Sequence, residues 1–397
     1  MNRYRMRFAP HVWKPSLSPT LVRWLKSLRT QQCNREVCIA DFEVSGDDIV
    51  RRHLDAGHGV MLMPNHSSHA DPYVIYAAAD LIGTPLLLMA TWHVFHEKSR
   101  LVQWLLRKHG CFSVDREAND IGAFKLASGL LQQEPHPLVI FPEGEIYHCS
   151  DRVTPFREGA AAIAVAAARK SDRPIVCIPC AISYRYVDDP TPALTETMGR
   201  LEESIFWRRQ TNRSLEERIY RFAEALLAVK ELEYYGETKS GRLPERIRAF
   251  GDFVLDAVEA RHELACGNKS IPERVKAARK AIIEKRSADE LVDADRSRLD
   301  DDLEDLFLVV QSFSYPGDYV GDKPSIERVA ETIDKFEEDV LKEPTASIKA
   351  RRKVKVMFGE AVEVIGDKKV KGQTTEITTQ IEARVQGMLD SIHGESQ

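Results

Sequence analysis

The sequence predicts an α/β fold: a mostly parallel sheet flanked by helices, carrying a large helical insertion. Three observations predict it. From about residue 57 to 186 short apolar runs alternate with helical patterns, the alternation that builds a layered structure around a largely parallel sheet. After about residue 188 long, charge-rich amphipathic segments take over. Strand character then returns at Val354–Phe358, and a last helical pattern follows.

The first thirty residues contain no Asp or Glu, but carry Arg3, Arg5, Arg7, Lys14, Arg23, Lys26 and Arg29. Trp13, Trp24 and several leucines lie among them. Basic residues around Trp and Leu at helical spacing suit a segment lying on an anionic membrane surface. The competing reading is a first helix packed on the core with a solvated basic face. The strands of the following region are expected at Gly59–Met63, Pro85–Ala90, Cys111–Val114, Pro137–Phe141 and Pro174–Ser183. Helices are expected between them at Pro72–Leu81, Ser99–Lys108, Ala118–Gln133 and the Ala-rich Phe156–Lys170. In the insertion, Ser214-Leu-Glu-Glu217 has the form of a capping box. Ile219, Phe222, Leu226 and Val229 mark one face of the helix it opens. Further helices are expected at Pro272–Lys285, Leu299–Gln311 and Ile326–Leu341, then a strand at Ala361–Ile365 and a helix at Thr375–Leu389. The organisation is thus a basic segment at 1–34, an α/β core at 35–187, a helical insertion at 188–350, and a strand and helix at 351–397 that complete the core.

At 397 residues, 43% hydrophobic and 29% charged, the chain has ample material for a buried core. Disorder, collagen-like repeats and a small disulfide scaffold are excluded. The longest uncharged apolar-rich stretch, Leu81–His96, has sixteen residues, short of the roughly 20 a spanning helix needs. No signal peptide is visible, and the seven cysteines (33, 38, 111, 149, 177, 180 and 266) are scattered. A reducing cytoplasm is the expected setting. Cys177-Ile-Pro-Cys180 lies in an apolar strand without a second pair at zinc spacing, so buried structural thiols are expected there. Nothing forms the basic stripe of a nucleic-acid binder.

The most informative segment is Pro64-Asn-His-Ser-Ser-His-Ala-Asp-Pro72, directly after the apolar run Val60–Met63. It falls at the C-terminal end of a strand, where ligands bind in open α/β sheets. A turn tight enough to start the following helix can bring the Asp71 carboxylate back onto His66. A carboxylate on one ring nitrogen fixes the tautomer and raises basicity at the other, equipping His66 as a general base. Two readings compete. Asp71 before Pro72 is a good N-cap, and His66, His69 and Asp71 could ligate zinc, with His148 or His136 as a further ligand. The second segment, Leu138-Val-Ile-Phe-Pro-Glu-Gly-Glu145, reads as a buried strand and a turn at Gly144. Glu143 is placed there to bind a polyol substrate or to hold another site residue. Arg116 ends a third block, Gly110-Cys-Phe-Ser-Val-Asp-Arg116, where it suits phosphate. Phe156-Arg-Glu-Gly-Ala160 puts Arg157 at the start of a helix, a ready anion site.

In this order the blocks resemble one family. Asn-His66-x4-Asp71-Pro, Gly-x-Phe-x-x-Asp-Arg116, Phe141-Pro-Glu-Gly144, the Phe-Arg-x-Gly159 helix and the 174–182 strand with Pro179 are similar to the blocks of the glycerolipid acyltransferases. The resemblance covers about residues 35–186 and resumes at Lys353–Leu389. It implies the family's α/β fold and acyl transfer from acyl-coenzyme A or acyl carrier protein to a hydroxyl of glycerol 3-phosphate, lysophosphatidate or another lysolipid. His66 and Asp71 would be catalytic, with Arg116, Glu143 and Gly144 binding the acceptor; Arg157 with Arg116 and Arg152 would make an anion pocket. No metal or further cofactor is implied, and the setting would be cytoplasmic, peripheral to an anionic membrane.

The chain departs from the family where Glu145-Ile146-Tyr147 follows Phe-Pro-Glu-Gly in place of Thr or Ser. An added carboxylate beside a phosphate site repels a dianion. Glu145 must therefore point away, or the acceptor is not a simple glycerol phosphate. The alternatives from other classes are a metal-dependent hydrolase built on His66, His69 and Asp71, and a non-catalytic lipid-binding protein.

Overall fold

The computed structural model describes residues 11–394 except 117–119, 266, 268, 287–292, 322–323 and 368. Arg3, Arg5, Arg7, Cys266 and the first residues of the helix expected at Ala118 lie outside them. Eight strands form one sheet: β1 Ile39–Ser45, β2 Gly59–Pro64, β3 Leu87–Thr91, β4 Cys111–Val114, β5 Leu138–Val139, β6 Ile175–Tyr186, β7 Arg352–Phe358 and β8 Val362–Val364. Their order is β1-β7-β6-β2-β5-β3-β4, with β8 also on β6. From β6 to β4 every pairing is parallel, as is β1 with β7. Only the pairings of β7 and β8 with β6 are antiparallel. The fold is therefore α/β with a mostly parallel sheet, as the alternation of the sequence predicts.

Side-chain alternation divides the core in two. Val60 and Leu62 of β2, with Val176, Ile178, Cys180, Ile182 and Tyr184 of β6, face one layer, into which helix Asp71–Ile82 sends Val74, Ile75 and Ala78. Met61, Met63, Ile175, Cys177 and Ala181 face the other, covered by helices Ile121–Gln133, Gly159–Ala168 and Gln373–Gly394. Residues two apart on a strand share a face, and both faces are dry because helices cover each. Every residue of β2 is accordingly buried.

Some elements differ from expectation. β5 pairs through only two residues, although the Ile140 N–H still donates to the Leu62 carbonyl at 3.1 Å. Strand β1 and helices Asp47–Asp55, Thr191–Ser204 and Leu243–Arg261 were not among the expected elements. Within the apolar stretch Leu81–His96, Leu86, Leu87, Leu88, Trp92 and Phe95 are buried in the core.

The chain divides into two compact units, Leu194–Glu343 and the residues on either side of it. The first is helical, with a core built from Leu227, Phe250, Val254, Leu255, Val258, Ala278, Ile282 and Leu306. Ser214 and Glu217 form the capping box, each side chain accepting from the other's backbone N–H. A buried ion pair joins Arg218 to Glu202 at 2.8 Å. Among the described residues no helix is long and apolar enough to cross a membrane.

Candidate active site

The C-terminal ends of β2 and β5 lie side by side, so the two most informative segments meet at one edge of the sheet. Asn65 sets the turn. Fully buried, its side chain donates to the Ile182 carbonyl at 3.0 Å and accepts from the Ile182 N–H at 2.7 Å. The ladder to β6 is thus continued by a side chain, which frees the backbone to turn at His66.

Asp71 is the first residue of its helix, and Ala70, the N-cap, makes no side-chain cap bond. The capping reading of Asp71 is therefore corrected. Its carboxylate is fully buried and closes on the preceding turn. Oδ2 accepts from the Ser68 N–H at 2.9 Å and lies 2.8 Å from His66 Nδ1, while Oδ1 accepts from the Tyr184 hydroxyl at 2.5 Å. A carboxylate at Nδ1 fixes the tautomer in which Nε2 is the basic nitrogen. The His66 ring also stacks on Phe141, the centroids 4.1 Å apart.

Glu143 holds the two loops together. Oε1 accepts from the His66 N–H at 2.7 Å, and Oε2 accepts from the Thr154 N–H at 3.3 Å and from the Thr154 hydroxyl. Of the two roles open to Glu143, holding another site residue is the one this geometry displays. Burial pushes its carboxyl well above the usual range, against the two N–H groups that favour the anion.

Gly144 takes φ 76°, and a Cβ there would stand 2.9 Å from the Arg157 guanidinium carbon. Only glycine lets Arg157 lie this close to the loop. Arg116, reaching over from the end of β4, donates through Nη1 to the Gly144 carbonyl and pairs with Glu145 at 3.0 Å. Glu145 therefore does not point away, as one of the two expectations required; it turns onto Arg116 and offsets its charge. Arg116, Gly144 and Arg157 do come together, with a carboxylate among them.

The zinc reading is not carried. Among the described residues, His66, His69 and Asp71 do not bring three ligand atoms within 4.8 Å of one another. His69 lies beside His148 instead, ring centroids 6.1 Å apart. His136 precedes β5 at the opposite edge, 3.4 Å from the Thr84 hydroxyl. Cys177 and Cys180 are buried in β6 and free, and burial pushes the Cys177 thiol up to about 12, out of reach of thiolate chemistry.

Sequence reading missed Tyr184 and Thr154. Tyr184 did have a signal: it continues the Cys180, Ile182 face of β6 that packs under helix Asp71–Ile82. Thr154 had none.

The fold and site define an α/β protein with a His–Asp pair at the C-terminal edge of a parallel sheet. Residues 41–183 match the family model described as Acyltransferase. Residues 41–183 are therefore an acyltransferase domain, which supports an acyltransferase activity in general. No curated protein matches the chain.

Proposed function

We propose that the protein is an O-acyltransferase moving a fatty acyl group from acyl-coenzyme A or acyl carrier protein to a hydroxyl of glycerol 3-phosphate, lysophosphatidate or another lysolipid. It works at an anionic membrane surface on the cytoplasmic side. His66 Nε2 takes the acceptor proton as the hydroxyl oxygen attacks the thioester carbonyl carbon. The tetrahedral intermediate collapses by breaking the carbon–sulfur bond, and the leaving thiolate takes the proton back from the imidazolium. Asp71 orients His66 and stabilises that imidazolium, as in a triad whose nucleophile belongs to the substrate. No acyl-enzyme forms and no cofactor beyond the donor thioester enters the scheme. Arg116, Gly144 and Arg157 make the acceptor side of the site, and Glu143 fixes the backbone of His66.

The observation that carries this reading is the 2.8 Å contact between His66 and a fully buried Asp71, at a sheet edge inside an acyltransferase domain. It is tested by incubating the protein with acyl-coenzyme A or acyl carrier protein and a panel of lysolipids, with His66→Ala alongside. His66→Ala should lose about 10²–10⁴ in kcat. Equal transfer by both proteins would refute the base.

A further inference from the structure

Helix Arg100–Lys108 is unusual among the helices around the sheet because it has no buried residue. Its sequence, Arg-Leu-Val-Gln-Trp-Leu-Leu-Arg-Lys, gives Leu106 to the core, leaves Leu105 half-buried and turns Leu101, Val102 and Trp104 outward. Leu101 is 66% exposed, Trp104 46% and Val102 36%. Val94, in the short helix Trp92–His96 just before it, is also exposed. Arg100 opens the helix, Arg107 and Lys108 close it, and it contains no acid. Glu97, in the turn ahead of it, is matched by Lys98.

The neighbouring chain extends this face. Residues 11–16 run along β4, the last strand of the sheet: the Trp13 N–H donates to Ser113 Oγ at 2.8 Å and its carbonyl accepts from the Ser113 N–H at 3.0 Å. The Ser16 N–H donates to the Arg107 carbonyl at 2.9 Å. Trp13 itself stacks on Phe95, and Arg29 pairs with Asp80 at 2.6 Å. These two residues of the acid-free segment therefore serve the fold. Val12, beside Trp13, is exposed, and Lys14 gives its carbonyl to Arg107 Nε.

We infer that helix Arg100–Lys108, with Val94 and Val12 at its borders, is the surface that seats the protein on an anionic bilayer. Leu, Val and Trp projecting between Arg and Lys match an interface whose interior is apolar and whose headgroups are negative. The charge selects the partner, because the protein as a whole carries a net charge of −5 while this helix carries only positive side chains. Position gives the surface a use. The helix pair leaves the C-terminal end of β3, the edge that also carries His66, so docking here keeps that edge near acceptors whose chains lie in the bilayer. The inference rests on the acyltransferase reading for that use, and on exposure and charge for the binding itself.

The test is co-sedimentation of the full-length protein with phosphatidylcholine vesicles with and without phosphatidylglycerol. Binding should require phosphatidylglycerol, weaken with salt, and fall roughly tenfold or more in the double variant Leu101→Glu, Trp104→Glu. Circular dichroism melts check that this variant is folded, and Trp104→Phe, which keeps the ring, should retain binding. Undiminished binding by the folded double variant overturns the inference. So does a wild-type dimer that the double variant abolishes, without vesicle binding by either, since the face would then join two copies. His66→Ala separates the two readings: it should bind vesicles as the wild type does, whatever its transfer activity.

Discussion

Tyr184 donates its hydroxyl at 2.5 Å to the one oxygen of Asp71 that His66 does not use. The carboxylate is thereby held from both sides, by the imidazole and Ser68 N–H on Oδ2 and by the phenol on Oδ1. The Arg352 guanidinium lies 4.7 Å over the tyrosine ring, so β7, far along the chain from β6, supports the pair. Burial and the Asp71 charge raise the Tyr184 hydroxyl well above its ordinary value, which keeps it a donor. Tyr184→Phe would strand Oδ1 in a dry site, costing about 1–3 kcal/mol of stability. Loosening Asp71 should also lower kcat by roughly tenfold with KM little changed, since orientation matters in the transition state. Urea melts and steady-state kinetics on one preparation check both. A destabilised variant with wild-type kcat would confine Tyr184 to the fold.

How far the sequence could be read follows the distance over which each contact is made. The turn from Asn65 to Pro72 was legible because strand, histidine, acid and helix start are all local. β1 was overlooked although Ala40–Ser45 alternates apolar and polar residues as a half-buried strand does; the run is short, and its place in the sheet comes from pairing with β7, more than three hundred residues away. Glu143 was placed at the right edge, but its bond to His66 spans 77 positions and no pattern in one segment records it. The direction of Glu145 was equally hidden, since it depends on an arginine arriving from β4.

That arginine gives a test of the acceptor. Glu145 and Arg116 are both largely buried and 3.0 Å apart, so the carboxylate offsets the charge a phosphate would seek. Glu145→Gln keeps the size and removes the charge. KM for a phosphate-bearing acceptor should fall about threefold to tenfold, the equivalent of roughly 1 kcal/mol from one such charge, while KM for an uncharged acceptor stays the same. Parallel assays with lysophosphatidate and a monoacylglycerol make the comparison. Equal changes for both acceptors would remove Arg116 from phosphate recognition.

Glu143 gives the pH dependence. Its ordinary value is 4.5, and burial raises it well above that in the folded chain. Between the two values the folded state holds a proton that the unfolded chain has released. Stability contributed by this group is therefore present below pH 4.5 and is lost as pH rises toward the folded value. The slope is at most about 1.4 kcal/mol per pH unit while the window lasts. Glu143→Gln carries no proton to lose. It forfeits an acceptor for the Thr154 N–H at every pH, a constant offset, but it escapes the slope. The melting temperature of Glu143→Gln relative to wild type should therefore climb as pH rises above 4.5 and level off once the folded value is passed, measured in parallel thermal melts. A difference that stays level across that range would mean Glu143 is ionised in the folded protein, held as an anion by His66 and Thr154.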